Sequence, residues 1–247
     1  MFRFFVVAWI FVFACGCVSV SSHKEVVQSF YKWQIKKKQE QYHALYEDVV
    51  VKVQQFRKGK IVFRGNGVLI SPRGYVLTVY HVVQGKGKKQ NLFVQVRRKE
   101  GGWKQYKARL VRYQPSIDIA LLKIVDRKPY QRFAYRPLRV RFLEPNETII
   151  VCGYVRNYLR IYEGVVSLPL AYPRPKLFCV LKGKTYPVFF RIMRLDGLIW
   201  FGMSGSPIFT QKGELVGVCM AMFAKDPSWG IFLSAHFIEW FKLLPEN

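Results

Sequence analysis

From Val49 onward the apolar residues come in short runs rich in Val, Ile, Phe and Tyr, broken by clusters of Gly, Pro, Asn and Lys. Such spacing is that of strands and turns. It predicts strands at 49–55, 61–70, 75–79, 92–98, 105–113, 119–125, 148–152, 161–168, 177–181, 187–193, 207–210, 214–223 and 229–234. Strands in this number fit two barrels, about 48–126 and about 146–234, joined by the Arg- and Pro-rich segment from Asp126 to Pro145. Helical spacing appears at both flanks. Over 23–47, Val26, Val27, Phe30 and Trp33 share one side, with Lys32, Lys36 and Lys37 among the polar positions. This basic linker reads as a stalk, a membrane-surface helix or a helix packed on the body. Phe237, Trp240, Phe241 and Leu244 predict a second helix within Ala235 to Leu244. The expected class is therefore all-β, with an N-terminal and a C-terminal helix around a β body spanning 48–247.

Before the linker, Met1-Phe2-Arg3 is followed by an uncharged stretch from Phe4 to Ser22. Its apolar centre is short for a spanning helix, which needs about 20 apolar residues, and reads as an export signal over 1–22. Ala14-Cys15-Gly16-Cys17 loosely resembles a lipidation site, so a lipoprotein anchor is a second reading. More positive charge follows the segment than precedes it, at Lys24 and Lys36 to Lys38. That leaves an uncleaved membrane anchor as a third. All three put the body in an exported, periplasmic, secreted or membrane-anchored place.

A chain of 247 residues can bury one sizeable core or two small barrels. Its 40 Lys and Arg against 15 Asp and Glu give a formal charge of +25, a field that attracts anionic membrane surfaces and polyanions. The bases are spread through the chain and no nucleic-acid-binding motif accompanies them, so nucleic acid is disfavoured as a partner. Outside the leader only Cys152, Cys179 and Cys219 remain, each in an apolar run, which predicts buried unpaired thiols. No cysteine pair or His-Glu-X-X-His has zinc-site spacing, and the sequence calls for neither a metal nor a cofactor.

The candidate chemistry centres on Phe201-Gly202-Met203-Ser204-Gly205-Ser206-Pro207. A serine between glycines after an apolar run is a common strand connection. It is also how a nucleophilic hydroxyl is set beside backbone amide donors. Gly202 lets the backbone turn so that its own amide and that of Ser204 point at a developing oxyanion. Two further residues precede Ser204 in the order His, Asp, Ser. His81 follows the strand-like run Leu77-Thr78-Val79-Tyr80 and opens a short helical turn. Asp118 adjoins Ile117, Ile119, Ala120, Leu121 and Leu122, where an unpaired carboxylate would cost several kcal/mol. A bond to the His81 ring would supply its partner, and the three form a candidate catalytic set.

The motifs recur in a recognisable order. Gly65-Asn66-Gly67-Val68-Leu69-Ile70-Ser71-Pro72-Arg73-Gly74-Tyr75-Val76-Leu77-Thr78 leads to His81-Val82-Val83, and Asp118-Ile119-Ala120-Leu121-Leu122-Lys123-Ile124 follows. Val151-Cys152-Gly153-Tyr154 and Glu163-Gly164-Val165-Val166-Ser167 come next. Asp196 stands before the serine turn, and Gly213-Glu214-Leu215-Val216-Gly217-Val218 after it. Over about residues 49 to 240 the chain resembles the HtrA (Deg) branch of the trypsin-like serine proteases.

The resemblance implies two six-stranded β-barrels of chymotrypsin type with the site in the cleft between them. It implies a serine endopeptidase acting on unfolded or damaged polypeptides, with catalytic His81, Asp118 and Ser204 and the amides of Gly202 and Ser204 as oxyanion hole. Substrate binding would fall to Leu198, Ile199 and Trp200, with Met220, Ala221 and Met222 on the facing strand, and favour small or medium apolar side chains. Relatives often form homo-oligomers, which the resemblance extends to this chain as an expectation. The chain departs from the pattern at Met203 and Ser206, and no PDZ domain is expected after the β body. The alternative reading keeps the fold and drops the chemistry, leaving a binding module for anionic surfaces or protein partners.

Overall fold

Alternating burial is plainest in β4 (Asn91–Arg97), where Leu92, Val94 and Val96 are buried and the residues between them are more exposed. β4 is one of fourteen strands among the described residues of the computed structural model. The model describes residues 20–84, 91–98, 100–128, 131–140, 143–144, 146–166, 178–181, 184–187, 191–195, 201–223 and 226–235. The chain divides into two units, Met1–Tyr42 and His43–Asn247.

A helix runs from Val20 to Tyr46, close to the predicted span. In the first unit its Phe30 and Trp33 are exposed and stacked at 6.1 Å, and the Lys37 ammonium lies 5.0 Å from the Trp33 ring. Among the described residues, no helix is long and apolar enough to cross a membrane.

The second unit is mostly β. Its first sheet uses β1 (Val50–Arg57), β2 (Lys60–Leu69), β3 (Tyr75–Val79), β4, β5 (Trp103–Gln114) and β6 (Ile119–Ile124). They pair antiparallel in the order β1-β2-β3-β6-β5-β4 and close into a barrel where β4 meets β1. The second sheet uses β7 (Thr148–Val155), β8 (Tyr158–Val166), β11 (Arg191–Leu195), β12 (Pro207–Thr210), β13 (Leu215–Phe223) and β14 (Asp226–Ser234). Its order is β11-β14-β13-β12-β7-β8, and β8 returns to pair with β11. β9 (Phe178–Leu181) and β10 (Lys184–Pro187) form a separate hairpin. The second core gathers Leu143, Ile149, Val151, Ile208, Val216 and Phe232. Tyr46, at the end of the helix, is buried with its ring stacked 4.2 Å from that of Phe209, and burial pushes its phenol up to about 12.

Several strand boundaries differ from those read in the sequence, among them the end of β7 (Val155 rather than 152) and the start of β14 (Asp226 rather than 229). β8 begins at Tyr158 rather than 161, because a two-residue turn at Arg156 and Asn157 pairs Val155 directly with Tyr158. Arg156 takes the left-handed conformation that such a turn requires. The predicted strand 187–193 is instead the end of β10 and the start of β11. Pro187 has no N–H to carry pairing onward. The predicted C-terminal helix lies outside the described residues beyond Ala235. Cys152 and Cys219 are free and buried, as expected, and burial pushes both thiols up, that of Cys219 to about 12.

The two sheets are tied by a buried lysine. Lys52 of β1 is only 8% exposed, donates to Asn157 Oδ1 at 2.8 Å, and sits 3.7 Å from the Trp103 ring centre and 5.6 Å from that of Tyr154. The aromatic faces and the amide oxygen offset part of the cost of burying its charge. Burial, then the charges of Arg64 and Arg97, lower its pKa from 10.5 to about 8. The folded chain therefore releases this proton at lower pH than the unfolded chain does. Stability contributed through Lys52 rises between pH 8 and 10.5. Urea unfolding across that range should show the rise in the unaltered protein relative to Lys52→Met. A difference that is flat or falls would contradict it.

Candidate functional site

The register of β3 against β6 brings the first two candidate residues together. Val79 pairs with Ile119, so His81, just past the end of β3, faces Asp118, just before the start of β6. His81 lies in the helical turn Tyr80–Val83, which buries Val82 and Val83 and leaves the imidazole partly exposed. Asp118 closes a 3-10 turn, Pro115–Ile117, in the left-handed conformation that Asp tolerates better than most residues. Ile117 is buried and fixes that turn to the barrel.

The Asp118 carboxylate is held at both oxygens. Oδ1 accepts the His81 backbone N–H at 2.8 Å, and Oδ2 stands 2.6 Å from His81 Nδ1. The Asp118 carbonyl also accepts the Tyr80 N–H at 3.0 Å. With Nδ1–H donating to the carboxylate, the neutral ring presents Nε2 as an acceptor. Tyr80 stacks on Tyr113 at 4.9 Å, walling one side of the turn.

Ser204 belongs to the other sheet, three residues before β12. Its loop is held from behind at each carbonyl: Gly202 O accepts Asn66 Nδ2 at 2.7 Å, Met203 O accepts the Ser206 N–H at 3.0 Å, and Ser204 O accepts the Asn66 N–H at 2.7 Å. The Gly205 N–H donates to Cys219 O at 2.8 Å. Among the described residues, neither the Gly202 nor the Ser204 N–H has an acceptor. Met203 turns its side chain inward and is 1% exposed in the second core, so the loop is anchored by apolar burial at this departure from the family pattern. Ser206, the other departure, is also buried, with Oγ 3.8 Å from Met203 Sδ.

The serine loop and the His81 turn converge on bare backbone at Gly65. A Cβ there would lie 2.6 Å from a Val82 methyl and 2.9 Å from Ser204 O. Met220, expected to line a binding pocket, is 8% exposed in β13. Ala221 and Met222 follow it in the same strand, while Leu198, Ile199 and Trp200 lie outside the described residues. No group of His, Cys, Asp and Glu among the described residues is arranged to hold a metal.

Asn66 is a participant that the motif alone does not reveal. A signal was present: a carboxamide between two glycines inside an apolar strand must find several partners if buried. Thr78 is similar, since its buried hydroxyl donates to Asn66 O at 2.6 Å.

Residues 65–218 match the family model described as a trypsin-like peptidase domain. The chain is 29% identical over 200 residues to the serine protease Rv3671c of Mycobacterium tuberculosis, covering 76% of this chain and 44% of that protein. It is 30% identical over 165 residues to a probable periplasmic serine endoprotease, DegP-like, of Pseudomonas putida, covering 66% of this chain and 30% of the relative. The chain thus spans less than half the length of these relatives. In fold it is similar to the crystal structure of Deg5, with a TM-score of 0.64 at 19% identity over 83% of this chain and 92% of that one.

Gly205 tests how tightly the loop is packed. It has φ +82°, and an added Cβ would lie 2.1 Å from Asn66 O and 2.6 Å from Thr78 Oγ1. Gly59 shares a positive φ of +74° but has nothing within 4 Å of such a Cβ. Gly205→Ala should lose about 2–4 kcal/mol of unfolding free energy in urea and Gly59→Ala about 1 kcal/mol. Equal losses would mean that backbone conformation alone sets the requirement.

Proposed function

We propose that this chain, which belongs to the trypsin-like peptidase domain family, is a serine endopeptidase that cleaves polypeptides through an acyl-enzyme. The observation that carries the reading is the two-point hold of Asp118 on His81, set beside the loop of Ser204. In this reading Ser204 Oγ attacks the scissile carbonyl carbon and His81 Nε2 takes its proton. Asp118 fixes the ring tautomer and stabilises the imidazolium without itself taking the proton. The amides of Gly202 and Ser204 receive the charge on the tetrahedral oxygen. His81 then returns the proton to the leaving amine, and water releases the acyl group by the same steps in reverse.

The fold proposed for this chemistry is the chymotrypsin-type pair of six-stranded barrels, with His81 and Asp118 from the first and Ser204 from the second. The proposed substrates are unfolded or damaged polypeptides, with apolar side chains received by Leu198, Ile199, Trp200, Met220, Ala221 and Met222. Export is supported by the apolar leader and by the DegP-like relative, whose name places that protein in the periplasm. Association with anionic membrane and formation of a homo-oligomer are further parts of the proposal.

The charge of +25 favours a second reading, a protease-fold module that binds anionic surfaces. Salt separates the two, since polyanion binding weakens steeply with ionic strength and hydrolysis of a neutral peptide does not.

A fluorophosphonate probe should label the protein, and Ser204→Ala and His81→Ala should abolish labelling. Asp118→Asn should lower turnover on the order of 10³- to 10⁴-fold, because the ring loses its tautomer control. A folded, unaltered protein that resists labelling even with unfolded substrate present would sink the enzyme reading.

A further inference from the structure

Asn66 of β2 is completely buried, yet every polar group it carries is engaged. Its N–H donates to Ser204 O at 2.7 Å and its carbonyl accepts the Thr78 hydroxyl at 2.6 Å. Its side-chain Oδ1 accepts the Tyr154 N–H at 2.7 Å, and Nδ2 donates to Tyr154 O at 3.2 Å and to Gly202 O at 2.7 Å. The orientation of the carboxamide is forced. The atom facing an N–H must be the oxygen, and the atom facing two carbonyls must be the nitrogen.

These bonds have a consequence for the serine loop. Gly202, at φ +99°, is conformationally free by composition, and its carbonyl belongs to the peptide joining it to Met203. Fixing that oxygen orients the 202–203 peptide, against which the ψ torsion of Gly202 places the Gly202 N–H. The Asn66 main chain does the same for the Ser204 carbonyl. One residue of the first barrel therefore holds Gly202 and Ser204 by their carbonyls, each one peptide on from an N–H that lacks an acceptor among the described residues. The β7 strand supplies the reference: Tyr154 grips the carboxamide through both its N–H and its C=O, so the amide cannot turn without breaking three bonds.

We propose that Asn66 is the positioning residue of the oxyanion site, aligning the Gly202 and Ser204 amides across the junction of the two sheets. The inference rests on the peptidase reading above. The side chain required is specific. Asp offers no donor for two carbonyls when ionised, Leu has the size but no polar atoms, and Ser is too short to span from β2 to Gly202. Asn66 touches no reacting atom. Its effect belongs to the tetrahedral state, when charge gathers on the oxygen, and leaves ground-state binding alone.

Three measurements on the unaltered protein, Asn66→Ser and Lys52→Met test this. Steady-state hydrolysis of a neutral apolar peptide should show kcat reduced about 10- to 100-fold in Asn66→Ser with KM within about twofold. Affinity for a peptidyl boronate, which forms the tetrahedral adduct, should fall by the same factor. The downfield Nδ1–H resonance of His81 should be unmoved, since the pairing with Asp118 is intact. Lys52→Met removes a different buried contact between the sheets and should keep kcat. If Asn66→Ser keeps its kcat, or if Lys52→Met loses as much, the positioning role is overturned. Should Asn66→Ser fail to fold, the ¹⁵N-labelled unaltered protein decides. Boronate should shift the Asn66 side-chain amide and the Met203 amide together, and an unmoved pair overturns the proposal. An unaltered protein that neither labels nor hydrolyses removes the peptidase reading and this inference with it. A labelled unaltered protein with an unaffected Asn66→Ser removes the inference alone.

Discussion

A polar group taken out of water must find partners within the fold, and the meeting of the two sheets is arranged around one such requirement. The Asn66 carboxamide, fully buried, would cost the desolvation of several unmet hydrogen bonds if either sheet drew back. It is met by a strand edge at Tyr154 and a loop carbonyl at Gly202. A purely apolar contact at this junction would tolerate sliding. A carboxamide with one acceptor and two donors does not, because its bonds are directional and their number is fixed. Lys52, paired with Asn66 across β1 and β2, adds a second directional tie to the turn after Tyr154.

Within the first barrel the corresponding constraint is strand register. Because β3 and β6 are antiparallel and Val79 faces Ile119, the ends of these strands carry His81 and Asp118 to one corner. A slip of one residue would turn each side chain of β6, which is buried or nearly so at every position, to the opposite face, and would also separate the ring from the carboxylate. Packing and chemistry thus depend on the same alignment. The left-handed turn at Asp118 completes it by aiming the carboxylate back toward both the ring and the main chain of His81.

Much of this was legible in the chain itself. Runs such as Ile119 to Ile124 and Leu215 to Phe223 declare strands, because β-branched and aromatic residues between turn formers have few other uses. His81 and Asp118 could be paired from sequence because an acid beside an apolar strand needs a partner. What sequence could not reveal is partnership between residues far apart in order and bland in type. Asn66 and Gly202 are separated by 136 positions, and nothing in a glycine announces that its carbonyl will be gripped. Met203 looks like a loose substitution in a loop, and only its place in the second core explains it. Strand ends were misjudged for a related reason. Arg156 and Asn157 look like a break of unknown length, whereas the geometry of a two-residue turn leaves the strands paired to their last residues.

The buried cysteines carry a consequence of a different kind. Cys152 and Cys219 lie in strands flanking the serine loop, unpaired and sealed from solvent, with ionisation pushed far above neutrality. Thiol–disulfide exchange proceeds through the thiolate and needs access to it. Neither condition is met at these two positions. The junction that carries Ser204 thus owes its shape to packing and hydrogen bonds, with no covalent clasp at Cys152 or Cys219, and these two positions give it no sensitivity to the redox state of its surroundings.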